Sequence, residues 1–160
     1  MIPDYEVLLS ALADHEVDFV IVGGVALTLQ GSARLTRDLG LCYGRDRGNL
    51  QALAAALAPF EPALRGAPAV LRFTLDRRTL ESGLNFTLTT SAGDVDLLGE
   101  LTGIGRFPIA ARLAERMDLY GQSVRVLSLD GLERAKRAAG RLQDLADLAE
   151  ILEIRRQRNR

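Results

Sequence analysis

Residues 17–43 constrain this chain more than any other stretch. An apolar run, Val17 to Val22, ends in Gly23-Gly24 and passes straight into an apolar helical pattern, Val25 to Leu29. A polar turn, Gly31 to Ala33, then leads to Arg34-x-Thr36-x-Asp38-x-Gly40 at the head of a second strand, Leu39 to Tyr43. A short buried strand, a tight glycine turn, a helix and a returning strand have to bury their apolar faces together, which calls for helices packed on a sheet. Periodicity alone limits the fold to α/β or α+β. The glycine pair also leaves backbone N–H groups free at a helix start, where an anion such as phosphate can approach closely.

The glycine pair, the short helix and an aspartate on the next strand resemble the nucleotidyltransferase superfamily. The likeness is to its minimal nucleotidyltransferases and abortive-infection toxin-type members, whose motif continues as Asp-x-Asp. Asp38 matches the first carboxylate, but Gly40 stands at the second. The resemblance runs from about Val17 to Leu152. It implies a nucleotidyltransferase fold: a small mixed β-sheet flanked by helices, with further helices at the C-terminus. It also implies metal carboxylates on adjacent strands. Asp96, in Asp94-Val95-Asp96-Leu97-Leu98, matches the apolar-Asp-apolar context of the last metal-site acid. Asp94 lies two residues away on the same strand face and reads either as an accessory ligand or as a turn residue after Gly93.

Nucleotidyl transfer moves a nucleoside monophosphate from a nucleoside triphosphate (NTP) to an acceptor hydroxyl. Such in-line displacements commonly use two divalent ions roughly 3.5–4 Å apart, and magnesium takes oxygen ligands from carboxylates and substrate phosphates. Residues i and i+2 on a strand share a face, so Asp-x-Asp places two carboxylates on one metal cluster. Gly40 keeps the spacing and removes a ligand. Glycine inside a strand also forfeits packing and backbone entropy, so local propensity gives no reason for it. The resemblance therefore assigns Mg2+ (or Mn2+) to Asp38 and Asp96, with NTP as substrate.

Four other groups fit a triphosphate. Gly23 and Gly24 offer backbone N–H groups, Thr36 a hydroxyl, and Arg34 a bidentate guanidinium; equally, Arg34 pairs with a surface acid. Among 20 Lys and Arg residues only Lys136 is a lysine, which suggests a position suited to a compact point charge. The segment Lys136-Arg137-Ala138-Ala139-Gly140-Arg141-Leu142-Gln143-Asp144 resembles the Lys…Gly-Arg-x-x-Asp element of the toxin-type enzymes. There the lysine contacts nucleotide phosphates and a later aspartate assists the acceptor side. Lys136 carries over, with Asp144 preferred over Asp147 for the aspartate. The competing reading is a solvated helix face with i,i+3 pairs such as Arg141 with Asp144.

The coarse element pattern follows from periodicity and turn residues. Helices are expected over 4–15, 25–30, 49–57, 108–116, 130–139 (capped by Asp130) and 142–156, and strands over 17–22, 39–43, 85–90, 94–98 and 124–127. The stretch 60–78 reads as a long arginine-bearing loop with a strand near 71–74. At 160 residues the chain is expected to form one domain, 1–160, with a sheet-containing core to 128 and C-terminal helices from 129. The net charge of −1 advertises no polycationic nucleic-acid surface. A single cysteine, Cys42, excludes an internal disulfide framework and fits a reducing cytoplasm. Acids inside the apolar N-terminal pattern argue against a signal peptide or membrane span. The absence of a Cys/His cluster argues against zinc, and no nucleophile motif surrounds any serine.

The expectation is a magnesium-dependent nucleotidyltransferase acting on an RNA (tRNA) or protein acceptor. It is expected to be cytoplasmic, a component of a toxin–antitoxin pair with a cognate antitoxin or toxin as partner, and impaired by Gly40. Two alternatives remain open: an inactive nucleotide-binding regulatory module, and a toxin–antitoxin protein acting through a protein interface. Restoring the carboxylate tests the metal assignment. Gly40→Asp is expected to make the melting temperature rise with magnesium. It is also expected to raise transfer from labelled NTP by several orders of magnitude, because metal stabilisation of phosphoryl charge contributes several kcal/mol. If Gly40→Asp gains neither magnesium-dependent stability nor transfer, Asp38 and Asp96 are not metal ligands.

Overall fold

The computed structural model of the chain describes residues 3–68 and 70–160. Helix α1 (Tyr5–Asp14) starts where the Asp4 carboxylate accepts a hydrogen bond from the Val7 N–H, and it buries Leu8, Leu9 and Leu12. Strand β1 (Phe19–Val22) runs into α2 (Gly23–Leu29), and β2 (Asp38–Tyr43) returns antiparallel to β1. Helix α3 (Arg47–Leu57), capped by Asp46, and a 3-10 turn, Ala58–Phe60, lead to the short edge strand β3 (Ala63–Leu64). Helix α4 (Arg77–Ser82) precedes the hairpin of β4 (Asn85–Thr90) and β5 (Gly93–Leu98). A two-stranded ribbon, β6 (Glu100–Leu101) with β7 (Gly105–Arg106), leads into α5 (Phe107–Arg112). The hairpin β8 (Ala114–Leu119) with β9 (Gln122–Leu127) and the helices α6 (Leu129–Ala139) and α7 (Leu142–Arg158) complete the chain.

Seven strands form one mixed sheet in the order β3-β4-β5-β2-β1-β9-β8. Most pairs are antiparallel, but β2 with β5 and β1 with β9 are parallel. Directly paired residues point to the same side of a sheet, so the register sorts every side chain. On one side Leu88, Val95 and Leu39 form a row, and Phe86, Leu97, Leu41 and Ile21 form the next. All of these are buried and belong to one hydrophobic cluster that also takes in the apolar faces of α1 and α3. The other side carries the rows Thr89–Asp94–Asp38 and Thr87–Asp96–Gly40–Val22. Cys42 also lies on this side, fully buried, and burial pushes its thiol pKa up to about 12.

The structure differs from the sequence expectations in several places, among them the unexpected β6–β7 ribbon and the start of α2 at Gly23. No strand forms at 71–74; the strand in that stretch is β3, and α4 follows it. The expected helix 108–116 stops at Arg112, and Ala114–Leu119 is instead the edge strand β8. Pairing with β9 across the Tyr120-Gly121 turn, both residues at positive φ, outweighs a weak local helical pattern. Ser128, not Asp130, caps α6, its side chain accepting from the Gly131 N–H at 3.1 Å. Helix α7 runs two residues further than expected, to Arg158. Among the described residues no helix is long and apolar enough to cross a membrane.

Asn49 ties α3 to the central strands. Its amide accepts from the Asp18 N–H at 2.7 Å and donates to the carbonyls of Asp18 at 3.0 Å and Gly44 at 2.7 Å. The residue is buried, so truncation leaves backbone groups without partners. Asn49→Ala is expected to lower the free energy of unfolding by about 1–3 kcal/mol. Urea titration followed by circular dichroism measures this, and a loss within error of zero would show that water replaces the side chain.

Candidate active site

The carboxylates of Asp38, Asp94 and Asp96 come together because β2 and β5 pair in register. Asp38 lies opposite Asp94, and Gly40 lies opposite Asp96. Asp94 is thus on the site face and not simply a turn residue. Between the three acids lies a cation that the sequence did not single out, Arg65. Its Nη2 donates to Asp96 Oδ1 at 2.9 Å and to the Leu88 carbonyl at 2.7 Å. Its Nε stands 3.4 Å from Asp94 Oδ2, and its Nη1 3.8 Å from Asp38 Oδ2. The Asp96 carboxyl is held above its ordinary pKa. Burial is the main cause, aided by the negative charges of Asp38 and Asp94 and opposed by Arg65.

The strand carrying Asp38 is fixed at its entry. The Tyr5 hydroxyl donates to the Thr36 carbonyl at 2.6 Å. A Cβ on Gly24 would stand 2.7 Å from Thr36 Oγ1, so only glycine lets the start of α2 lie against Thr36. Gly24, in the first turn of α2, and Thr36 therefore share one corner, next to the carboxylate rows. A Cβ at position 40 would meet the Val22 carbonyl oxygen at 3.1 Å. A side chain there needs Val22 to yield by a few tenths of an ångström.

Lys136, Asp144 and Asp147 form a second charged group where α6 turns into α7. Gly140, at φ +64°, ends α6 in the left-handed conformation that glycine favours. Lys136 Nζ then lies 2.8 Å from Asp147 Oδ2 and 3.4 Å from Asp144 Oδ1. Asp144 also accepts from Arg141, at 2.8 Å from Nε and 3.2 Å from Nη2. The hydrogen bonds from the Arg141 side chain, helped by its backbone N–H and by Lys136, pull the Asp144 pKa down to about 2 against the opposing effect of burial. Arg34 pairs with Asp147 and, at 3.0 Å, with Glu150 on α7. The i,i+3 pair of Arg141 with Asp144 is present, but Lys136 itself is largely buried between the two aspartates.

A pocket of about 180 Å3 opens beside this group. Val22, Gly23, Leu98, Leu132, Ala139 and Lys136 are among the residues that line it. Val22 is the residue paired with Gly40, and Leu98 follows Asp96 on the same strand face. The pocket therefore adjoins the end of the carboxylate row.

The fold is similar to those of solved structures. TM1012 of Thermotoga maritima, assigned as a nucleotidyltransferase, superposes with a TM-score of 0.56 at 18% identity, covering 91% of this chain and 88% of that one. ANT(2″)-Ia in complex with adenylyl-2″-tobramycin gives 0.58 at 14% identity, with 92% and 84% covered. The fold is that of the nucleotidyltransferases. An antigenic nucleotidyltransferase-like protein of Paracoccidioides brasiliensis agrees, at 0.51 and 20% identity over 96% of this chain and 77% of that one. No protein-family model matches the sequence, and no curated protein matches it.

The donor set on this nucleotidyltransferase fold does not fit a two-metal centre. Position 40 supplies no oxygen, and a guanidinium lies among the three carboxylates that remain. Among the described residues no group of three or more His, Cys, Asp or Glu side chains is arranged to hold a metal ion. Arg65 was not legible as a site residue because its partners lie 23 and 31 residues away in sequence. The visible signal was only an arginine before glycine in a Pro- and Gly-punctuated stretch.

The Asp144 carboxyl makes acid stability a probe of the α6–α7 corner. Its folded pKa lies below its unfolded value of about 3.9. The stability it contributes is therefore complete above about pH 4 and is lost as pH falls toward about 2. Arg141→Ala removes the main cause of the depression. It is expected to shift acid unfolding, followed by circular dichroism, to higher pH. An unchanged acid midpoint would mean that Arg141 does not hold the carboxylate in solution.

Proposed function

We propose that this chain binds a nucleoside triphosphate on the open face of its sheet, as a nucleotidyltransferase-fold protein whose transfer step is impaired. The observation that carries the reading is the shared pocket: Gly23 at the head of α2, Lys136 on α6 and the residues flanking the carboxylate row all border it. Its volume is below the roughly 300–1,000 Å3 of pockets that hold whole drug-sized ligands. It suits a nucleobase against Val22, Leu98 and Leu132, with the ribose and phosphates outside it toward Gly23 and Gly24. Lys136 would meet the phosphates from the rim, shared with Asp144 and Asp147. Arg34, committed to Asp147 and Glu150, would position α7 rather than grip phosphate.

In this reading Asp38, Asp94 and Asp96 mark where the α-phosphate and an acceptor hydroxyl would meet. That ANT(2″)-Ia is in complex with adenylyl-2″-tobramycin is consistent with nucleotide chemistry on a protein of this fold. The acceptor expected from the sequence resemblance, a tRNA end or a protein within a toxin–antitoxin pair, is the finer form of the proposal. Mg2+-dependent transfer is expected to be weak or absent, since the donor set lacks a ligand at Gly40.

Calorimetry with ATP, CTP, GTP and UTP tests binding, and incubation with labelled NTPs and total RNA or protein tests transfer. Binding of at least one NTP with little or no labelling is expected. Ala139→Phe, which fills the pocket from a partly exposed helix position, is expected to abolish binding while leaving the melting temperature unchanged. Lys136→Ala is a poorer probe, because it strips two buried aspartates of a cation and destabilises the fold. If no NTP binds the parent, or if Ala139→Phe binds as the parent does, this site is wrong.

A further inference from the structure

We infer that Arg65 is the resident cation of the carboxylate cluster, standing in place of a divalent metal and keeping one out. The inference concerns the acids alone and does not require the nucleotide-binding reading to hold. Four observations converge on it. First, Arg65 is positioned by backbone as well as by charge. Its N–H donates to the Thr87 carbonyl at 2.9 Å, which extends the β3–β4 register of Ala63 with Thr89 and Leu64 with Leu88 by one residue. Second, that extension places it in the row Thr87–Asp96–Gly40, so its side chain lies along the same face as the acids.

Third, a single guanidinium reaches all three carboxylates, with Nη2, Nε and Nη1 directed at Asp96, Asp94 and Asp38 in turn. A planar fork of five donors can serve several carboxylates at once, which an ammonium cannot do in the same way. The Leu88 carbonyl, which accepts from the same Nη2, ties the group to the backbone of β4. Fourth, the fork is incompletely satisfied. Nε is buried without a hydrogen-bond partner despite its proximity to Asp94. This matches a group held where the charges converge rather than one selected for ideal hydrogen-bond geometry. A divalent ion at that point would need the oxygens that Arg65 occupies and would face its positive charge at contact distance, so on this inference Gly40→Asp gains a metal only once Arg65 is also replaced.

The inference predicts a cation site that appears only when the guanidinium is removed. Mn2+ is the probe, read by loss of the free-ion electron paramagnetic resonance signal and by melting temperature, without nucleotide. The parent chain is expected to show neither binding nor stabilisation. Arg65→Ala, and Arg65→Gln as the milder change, are expected to bind Mn2+ about tenfold or more tightly than the parent, as removal of a like charge in contact requires. Both are also expected to melt higher with the ion. Adding Asp96→Asn to Arg65→Gln is expected to remove the gained site. Parent chain that binds Mn2+ as tightly as the variants overturns the inference, and so do folded variants that gain no Mn2+ binding. A gain that survives Asp96→Asn also overturns it. If neither variant folds even with Mn2+, the parent measurement decides alone: no binding supports Arg65 as the resident cation, and binding refutes it.

Discussion

The parallel pairing of β2 with β5 decides where the three carboxylates of the open face lie. These two strands come from segments more than fifty residues apart, and their register sets Asp38 beside Asp94 and Gly40 beside Asp96. A slip of one residue would turn Val95 and Leu97 toward the open side and bury the aspartates in the apolar rows. The burial of Leu39, Leu41, Val95 and Leu97 therefore enforces the position of the acids. The same residues that make the core select the geometry of the site. Because hydrophobic burial is non-directional, the polar ties at the strand ends supply the fine placement. The Tyr5 hydroxyl does so at Thr36, and the Asn49 amide at Asp18 and Gly44.

Charge is managed differently at the two ends of the open face. At the α6–α7 corner, Asp144 and Asp147 meet Lys136, Arg141 and Arg34, so acids and bases are nearly balanced. At the carboxylate row, three acids face one guanidinium, three minus one, which leaves two negative charges uncompensated by Arg65. The raised pKa of Asp96 follows from that imbalance together with its burial. The pocket borders both ends through Val22, Leu98 and Lys136, and an α-phosphate reaching the carboxylate row would meet repulsion there, which fits an impaired transfer step. The two ends thus differ in what they tolerate.

What was legible in the sequence was local or strictly periodic. The strand and helix of residues 19–29 were visible because apolar runs and a glycine pair mark them within a dozen residues, although both glycines begin α2 instead of forming a separate turn. The faces of Asp38 and Asp96 followed from the two-residue period of a strand. Arg65, Asn49 and the Lys136–Asp147 contact were not, because each depends on chain segments brought together only by the finished fold. Strand β8 escaped for a related reason. Its sequence, AERMDL, alternates poorly and is half-exposed, so only its partner β9 makes it a strand. Arg34 illustrates the limit from the other side. Its residue type suits phosphate, but its neighbours on α7 answer its charge first.

Cys42 gives the protein an internal reporter. It is the sole thiol, fully enclosed on the central strand next to the carboxylate face, with its proton held far more tightly than a free cysteine's. A thiol in that setting reacts through its thiolate, which is scarce while the strand is packed. Modification by a soluble reagent must therefore wait for β2 to separate from its neighbours. The rate of labelling at a chosen reagent concentration becomes a clock for the opening of the strand that carries Asp38 and Gly40. Local fraying at the termini or at the edge strand β8 would leave it unmoved.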